Sequence, residues 1–328
     1  KMVTGVATGQ NTYARSGSVM LGTHNYKGAL GDVTVDSSGV RSHNLLPFAT
    51  ALGANSYSHG LFSSVTGAYS IISSNYDGNN SSVASKNFGA TITGSLNSIE
   101  SATSSSNYSG VANSIVGTAN RTANSNGSLI FGAGNEITNS IDSLSGTPTD
   151  GGASAKDLAD TLRAAVKSSK SGGATLAIGG GNKADYTQRT SIIGVNNTVT
   201  GTSGSLSTFN SITGYNNIAT NINHVSVIGS KNNVTNTNGA VVFGDKRTLT
   251  GADGSVVIGS SQNGTSTSVK NAVAIGSEAN VTKEGGVALG AGSVASVDKG
   301  AAGYDPGTGT NSTDTSSVCL LYTSPSPR

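Results

Sequence analysis

The chain has 328 residues, of which 46 are glycine, and charged residues make up only 11%, against a usual ~25%. Its formal charge of +2 comes from 19 basic and 17 acidic residues scattered along the chain, so no field gathers phosphates and nucleic acid is not an expected partner. Trp is absent, and 10 Tyr and 6 Phe leave little aromatic surface for base stacking or a sugar platform. No run of eighteen apolar residues exists to span a bilayer.

In chain order, apolar runs end on Gly9, Gly22, Gly53, Gly67, Gly94, Gly117, Gly132, Gly179, Gly194, Gly214, Gly229, Gly244, Gly259, Gly276 and Gly290, and from Gly214 onward the spacings are 15, 15, 15, 17 and 14. A period this short and regular predicts stacked coils rather than disorder. Just before these glycines apolar residues are consecutive, as in Ile130–Phe131, Ile192–Ile193, Val227–Ile228, Val242–Phe243 and Val257–Ile258. Strand side chains alternate faces, so this predicts a strand buried on both sides. Five residues after the glycine, single apolar positions (Ile99, Ile137, Val199, Val234, Leu249, Val281) predict a second strand with one solvated face. A coil of ~15 residues is too thin to cover both faces of the first strand, which predicts an oligomer packed along the stack.

Residues 1–152 carry irregular repeats with insertions. The longest insertion, at 153–172, predicts a helix with a capping pair Ser154 and Asp157 and an apolar stripe of Leu158, Leu162, Ala165 and Val166. Lys167, Lys170 and Gly172 suit its C-terminal end. So short a helix is expected to dock by that stripe as a packed insertion; the rival reading is a dedicated ligand-binding element. Regular repeats fill 173–297, and 298–318 form a connector. The terminal "CLLYTSPSPR" at 319–328 matches none of the preceding composition; its back-translation fits a transposase sequencing adapter, so read-through is expected. The native portion then has no cysteine. Lys1 opens the chain without an initiator Met or an apolar export segment, as expected of a piece of a longer exported protein.

Motifs that suggest chemistry fail on spacing. "GGGNKA", Gly179 to Ala184, lacks the phosphate-loop pattern GxxxxGK[ST]. His24, His43, His59 and His224 have no ligand-like spacing and are expected at the surface or in turns. The sequons Asn233-Val234-Thr235 and Asn280-Val281-Thr282 follow from the repeat itself, "NYDGNNSS" lacks the EF-hand ligand ladder, and no catalytic arrangement is recognisable. No cofactor, metal or enzymatic activity is expected.

The repeats "SVVIGS", "NAVAIGSEANVT" and "GGVALGAGSVAS", followed by "SVDKGAAGYDPGTGTNSTDTSS" (Ser296 to Ser317), resemble the heads of trimeric autotransporter adhesins of the YadA-like family and their passage into a neck. The resemblance spans Gly9 to Ser317 and is closest from Leu176 onward. It implies an all-β fold, a left-handed parallel β-roll in each chain, and three chains about a common axis. Phe131, Ile178, Ile193, Ile228, Phe243, Ile258, Ile275 and Leu289, each directly before a repeat glycine, are by that mapping expected in the core strand and trimer packing. The resemblance further implies a virulence-associated head on the outer surface of a diderm bacterium. It would bind extracellular-matrix or host-surface ligands, or other bacteria, and reach the membrane only through a C-terminal anchor absent here. Two rivals are weighed. Thr200, Thr235, Thr250 and Thr282 suggest an ice-binding or structural rod, though uneven spacings interrupt the array. A polysaccharide-active β-helix enzyme would need longer coils and a charged groove.

Overall fold

A computed structural model describes residues 5–9, 17–23, 48–73, 86–101, 108–144, 146–148, 153–169, 173–298, 304–305 and 307–311. The chain divides into two compact units, Lys1–Val195 and Asn196–Arg328. Both are predominantly β, built from short parallel strands stacked coil on coil.

In the first unit one sheet runs, neighbour by neighbour, through Val6–Thr8, Val19–Thr23, Thr50–Ala54, Ser64–Thr66, Thr91–Thr93, Ser114–Thr118, Leu129–Ala133, Thr175–Gly180 and Thr190–Val195. A second runs through Tyr57–Ser58, Ile71–Ser73, Ser98–Glu100, Arg121–Ala123, Glu136–Thr138 and Lys183–Asp185. In the second unit the two series are Ser211–Tyr215, Ser226–Ser230, Val241–Phe243, Val256–Ile258, Val273–Ile275 and Val287–Leu289, and Thr198–Thr200, Ile218–Thr220, Asn233–Thr235, Arg247–Thr250 and Thr265–Thr267. Repeat glycines pair with repeat glycines in register, for example Gly132 with Gly179 and Gly214 with Gly229. Where these pairs form, the sequence alignment on the glycine reappears as strand register.

Each regular coil turns at three corners, two, seven and ten residues after the repeat glycine. In the coil that follows Gly214, these are Asn216, Asn221 and His224, all in the left-handed region at φ 53°, 52° and 55°. In the second unit the side between the second and third corners carries isolated parallel bridges, Thr208 to Asn223 to Asn238. The coil therefore has a short third side besides the two strands anticipated.

The repeat glycine is itself forced. Gly229 sits at φ 143°, and a Cβ there would lie 1.9 Å from the carbonyl oxygen of Gly244 in the next coil. The same approach recurs at Gly22, Gly53, Gly67, Gly94, Gly117, Gly132 and Gly179 in the first unit and at Gly214, Gly244, Gly259 and Gly276 in the second, at 1.8–2.5 Å. Only a residue without a side chain lets the corners stack at strand spacing.

The insertion at 153–172 does not interrupt the stack, since Leu129–Ala133 pairs directly with 176–180 across it. Its helix spans Ala155–Ser168, capped by Ser154, whose Oγ accepts from the Asp157 N–H at 3.2 Å. The helix ends at Ser169 with Lys167 in its last turn, while Lys170 and Gly172 lie outside the described residues. Leu162 and Val166 pack against a cluster of Leu61, Phe88, Val111 and Leu144, and Ala165 is buried. The helix is thus docked on its own unit by the anticipated stripe. Near its first turn, Phe62, Phe88, Gly89, Ala155, Leu158, Ala159 and Leu162 line an apolar recess of about 300 Å³.

Candidate functional site

Inside each coil the residue two before the repeat glycine is buried: Ile130, Ala177, Ile192, Val227, Val242, Val257, Ala274 and Ala288 are 1% exposed or less. The single apolar positions of the second strand, Ile99, Ile137, Val199, Val234, Leu249 and Val281, close the core from the other side and are equally buried. These two columns are the hydrophobic interior.

The residues expected in the core strand and trimer packing do lie in that strand, but their side chains point away from the interior of the coil. Phe131 is 57% exposed, Ile228 51%, Ile193 40%, and Phe243, Ile275 and Leu289 39% each, while Ile178 and Ile258 are half-buried. Alternation along the strand gives the reason. With Val227 or Ala274 turned inward, Ile228 or Ile275 must turn outward. The strand is therefore covered on one face by its own coil, and the other face is an outward apolar column. In the first unit that column includes Leu52, Leu129, Phe131 and Ile193; in the second, Ile228, Phe243, Ile275 and Leu289. Scattered apolar residues on a surface need no explanation; here they recur coil after coil on one sheet face of each unit.

Beside the core run ladders of side-chain amides. Three residues after each repeat glycine stand Asn97, Asn120, Asn135 and Asn182 in the first unit, and Asn197, Asn217 and Asn232 in the second, each buried. Asn232 is typical. Its backbone N–H and its Nδ2 both donate to Asn217 Oδ1, at 3.1 and 3.0 Å, and Nδ2 also donates to the Gly244 carbonyl at 2.7 Å. Each amide thus satisfies the glycine carbonyl of the next coil, which the corner would otherwise leave bare. "GGGNKA" belongs here: Asn182 donates to Asn135 Oδ1 and to the Gly194 carbonyl, at 2.9 and 2.8 Å.

Arg247 takes the next ladder position. It is 1% exposed, and its guanidinium donates to the carbonyls of Gly259 (2.6 Å), Ala279 (2.7 Å) and Gly276 (2.9 Å). Burial pushes its pKa down. Nearby, Glu278 accepts from the Gln262 backbone N–H and from the hydroxyls of Ser261 and Thr265, at 2.7 and 2.9 Å. The first of these holds its carboxyl below the ordinary carboxylate range. On the second strand of the first unit, Arg121 spans two carboxylates: Glu100 in a fork at 2.9 and 3.0 Å, and Glu136 at 2.6 Å. The Glu100 hydrogen bonds are the main cause of a raised Arg121 pKa.

Of the histidines, His24 and His43 lie outside the described residues. His59, expected at the surface or in a turn, is 3% exposed just before the Gly60–Ser63 turn, with its Nδ1 3.3 Å from Tyr57 Oη. Burial raises the pKa of that phenol. His224 is exposed and stacks on Phe209. Among the described residues, no three His, Cys, Asp or Glu side chains are grouped to hold a metal, and no helix is long and apolar enough to cross a membrane. The second strand's Asn233-Val234-Thr235 keeps Val234 inside and Asn233 exposed, so that sequon lies in a structural column. Cys319 and the rest of 319–328 lie outside the described residues.

The amide ladder and the direction of the apolar column are the features that sequence reasoning missed. The signal for the ladder was present as Asn recurring three residues after Gly94, Gly117, Gly132, Gly179, Gly194, Gly214 and Gly229. No protein-family model matches the chain, and no curated protein matches it either.

Proposed function

We propose that this chain is the head of a non-enzymatic, homotrimeric surface adhesin, exported to the outside of a diderm bacterium and binding host matrix, host-cell or bacterial surfaces. The observation that carries this reading is the outward apolar column in each unit, Phe131 and Ile193 in the first and Ile228, Phe243, Ile275 and Leu289 in the second. Left in water, such a column forfeits burial of about 1.5–3 kcal/mol per large side chain. Closing it against identical columns of two further chains recovers that burial and repeats every solvated surface three times. Three copies on one body raise avidity through effective concentration without strong individual contacts. The low charge and the Ser, Thr and Asn surface fit polar rather than electrostatic capture.

The test is binding of the wild-type chain and of the Phe131→Asp/Phe243→Asp double variant to immobilised matrix proteins, mucins and bacterial cells. The wild type is expected to bind at least one of these with slow release, and the variant, held as single chains, to release at least tenfold faster. Absence of binding to all three, or equal release by the two forms, contradicts the reading.

A further inference from the structure

We infer that Asn263–Gly264 is a self-modification site, where the Gly264 backbone nitrogen closes on the Asn263 side-chain amide and expels ammonia. The succinimide so formed is opened by water to aspartate or isoaspartate. Any Asn-Gly pair has this chemistry open to it, because glycine leaves the attacking nitrogen unshielded by a Cβ. What differs from pair to pair is how the surrounding chain holds the two reacting groups.

The sequence contains three such pairs, Asn126–Gly127, Asn238–Gly239 and Asn263–Gly264. Asn126 is fully buried. Its Oδ1 accepts from the Val111 N–H at 3.0 Å, its Nδ2 donates to the Tyr108 carbonyl at 3.0 Å, and the Gly127 N–H donates to the Val111 carbonyl at 2.8 Å. Asn238 is exposed but equally occupied. Its Oδ1 accepts from Asn223 Nδ2 at 3.1 Å, its Nδ2 donates to Asp253 Oδ1 at 3.3 Å, and the Gly239 N–H donates to the Asn223 carbonyl at 2.9 Å. In both pairs the amide is pinned, and the nitrogen that would attack faces a peptide carbonyl, which has no proton of its own to pass on.

Asn263 is held differently. It is exposed, and its side chain makes no hydrogen bond among the described residues. It stands in a bulge made by the longer coil, where Gly259 and Gly276 are 17 residues apart instead of 15. Neighbouring coils anchor the bulge at Gln262: Lys246 Nζ donates to its carbonyl at 2.7 Å, and Glu278 Oε1 accepts from its N–H. The backbone on either side of Asn263 is thus fixed while the amide between is left free.

A proton path leads away from the attacking nitrogen. The Gly264 N–H donates to Ser261 Oγ at 2.9 Å, and Ser261 Oγ donates to Glu278 Oε2 at 2.7 Å. The Thr265 hydroxyl braces both, 3.0 Å from Ser261 Oγ and 2.9 Å from Glu278 Oε2. A hydroxyl can take a proton from nitrogen while handing its own to a carboxylate, so these groups form a general-base relay within hydrogen-bond reach. Ser261 touches the reacting nitrogen, and Glu278 acts through it.

As Gly264 N bonds to Asn263 Cγ, its proton passes to Ser261 Oγ and the serine proton passes to Glu278. The Cγ–Nδ2 bond then breaks, and Nδ2 leaves as ammonia with a proton from water that Glu278 restores. One further water adds across an imide C–N bond, so the net change is amide plus water to carboxylic acid plus ammonia. No oxidant is required. The product carries a new carboxylate in the bulge, and isoaspartate also lengthens the backbone there by one carbon. None of this rests on the adhesin or trimer reading.

The test is incubation of the full chain at neutral pH and body temperature, followed by trypsin, which places the three pairs in separate peptides, 122–156, 232–246 and 248–270. Mass spectrometry then reads the exchange of NH for O, and fragmentation locates it. Conversion at Asn263 is expected to run at least tenfold faster than at Asn126 or Asn238. Ser261→Ala and Glu278→Gln should each slow it at least fivefold. A merely structural role for these two residues predicts the opposite sign, since loosening the bulge would speed the reaction. Unchanged or faster conversion in either variant with wild-type circular dichroism overturns the inference. So does conversion at Asn263 no faster than at Asn238 in the wild type, a comparison that needs no variant to fold.

Discussion

At the scale of single residues, stacking rests on what a repeat glycine lacks and a ladder asparagine supplies. Gly229→Ala puts a methyl where the Gly244 carbonyl already lies, at a φ that L-residues rarely adopt. A loss on the order of 3 kcal/mol or more is expected in urea unfolding. Gly239→Asn, in open space at a left-handed corner, is expected to stay within ~0.5 kcal/mol of wild type. Asn232→Ala leaves the Gly244 carbonyl and the Arg247 backbone N–H without their side-chain partners, for an expected loss of about 2–3 kcal/mol in the same assay. Asn232→Asp would be no remedy, because a carboxylate cannot donate to that carbonyl.

Glu278 makes a prediction about acid. Its folded pKa is depressed below the ordinary 4.5, chiefly by the Gln262 N–H. Its contribution is therefore complete above about pH 4.5 and is lost as pH falls through the lower folded value. Thermal midpoints of wild type and Glu278→Gln should differ at neutral pH and converge in acid; a constant gap would contradict this assignment.

At the scale of elements, the helix was legible and the coil only in part. Ser154, Asp157 and the 158/162/165/166 spacing are local signals, and local signals survive into the structure. Leu162→Asp is expected to undock the helix without unfolding the sheets, because the strands on either side of the insertion pair without it. Hydrogen exchange should then lose protection in 155–168 and keep it in 176–180; collapse of both would contradict independent docking. The glycine column and the buried apolar positions were legible for the same reason, as fixed spacings. The amide ladder was not, since asparagine near a glycine reads as turn chemistry until coils are stacked and its amide meets the neighbouring coil's carbonyl. Phe209 and His224 likewise look unrelated at fifteen residues apart, yet fifteen is one coil, and their rings stack.

At the scale of the whole molecule, one ambiguity in the sequence carries the most weight. Consecutive apolar residues predicted a strand buried on both faces, and the chain by itself buries only one. Ile228, Phe243, Ile275 and Leu289 were expected in the core strand and trimer packing by the resemblance, and the pleat turns them away from the interior of the coil. The proposed trimer covers these residues and accounts for their apolar character. The most direct measurement is the sedimentation equilibrium mass of residues 1–318, wild type and Phe131→Asp/Phe243→Asp. The account predicts three times the chain mass for the wild type and one chain mass for the variant. A stable, monodisperse single chain for the wild type would contradict it.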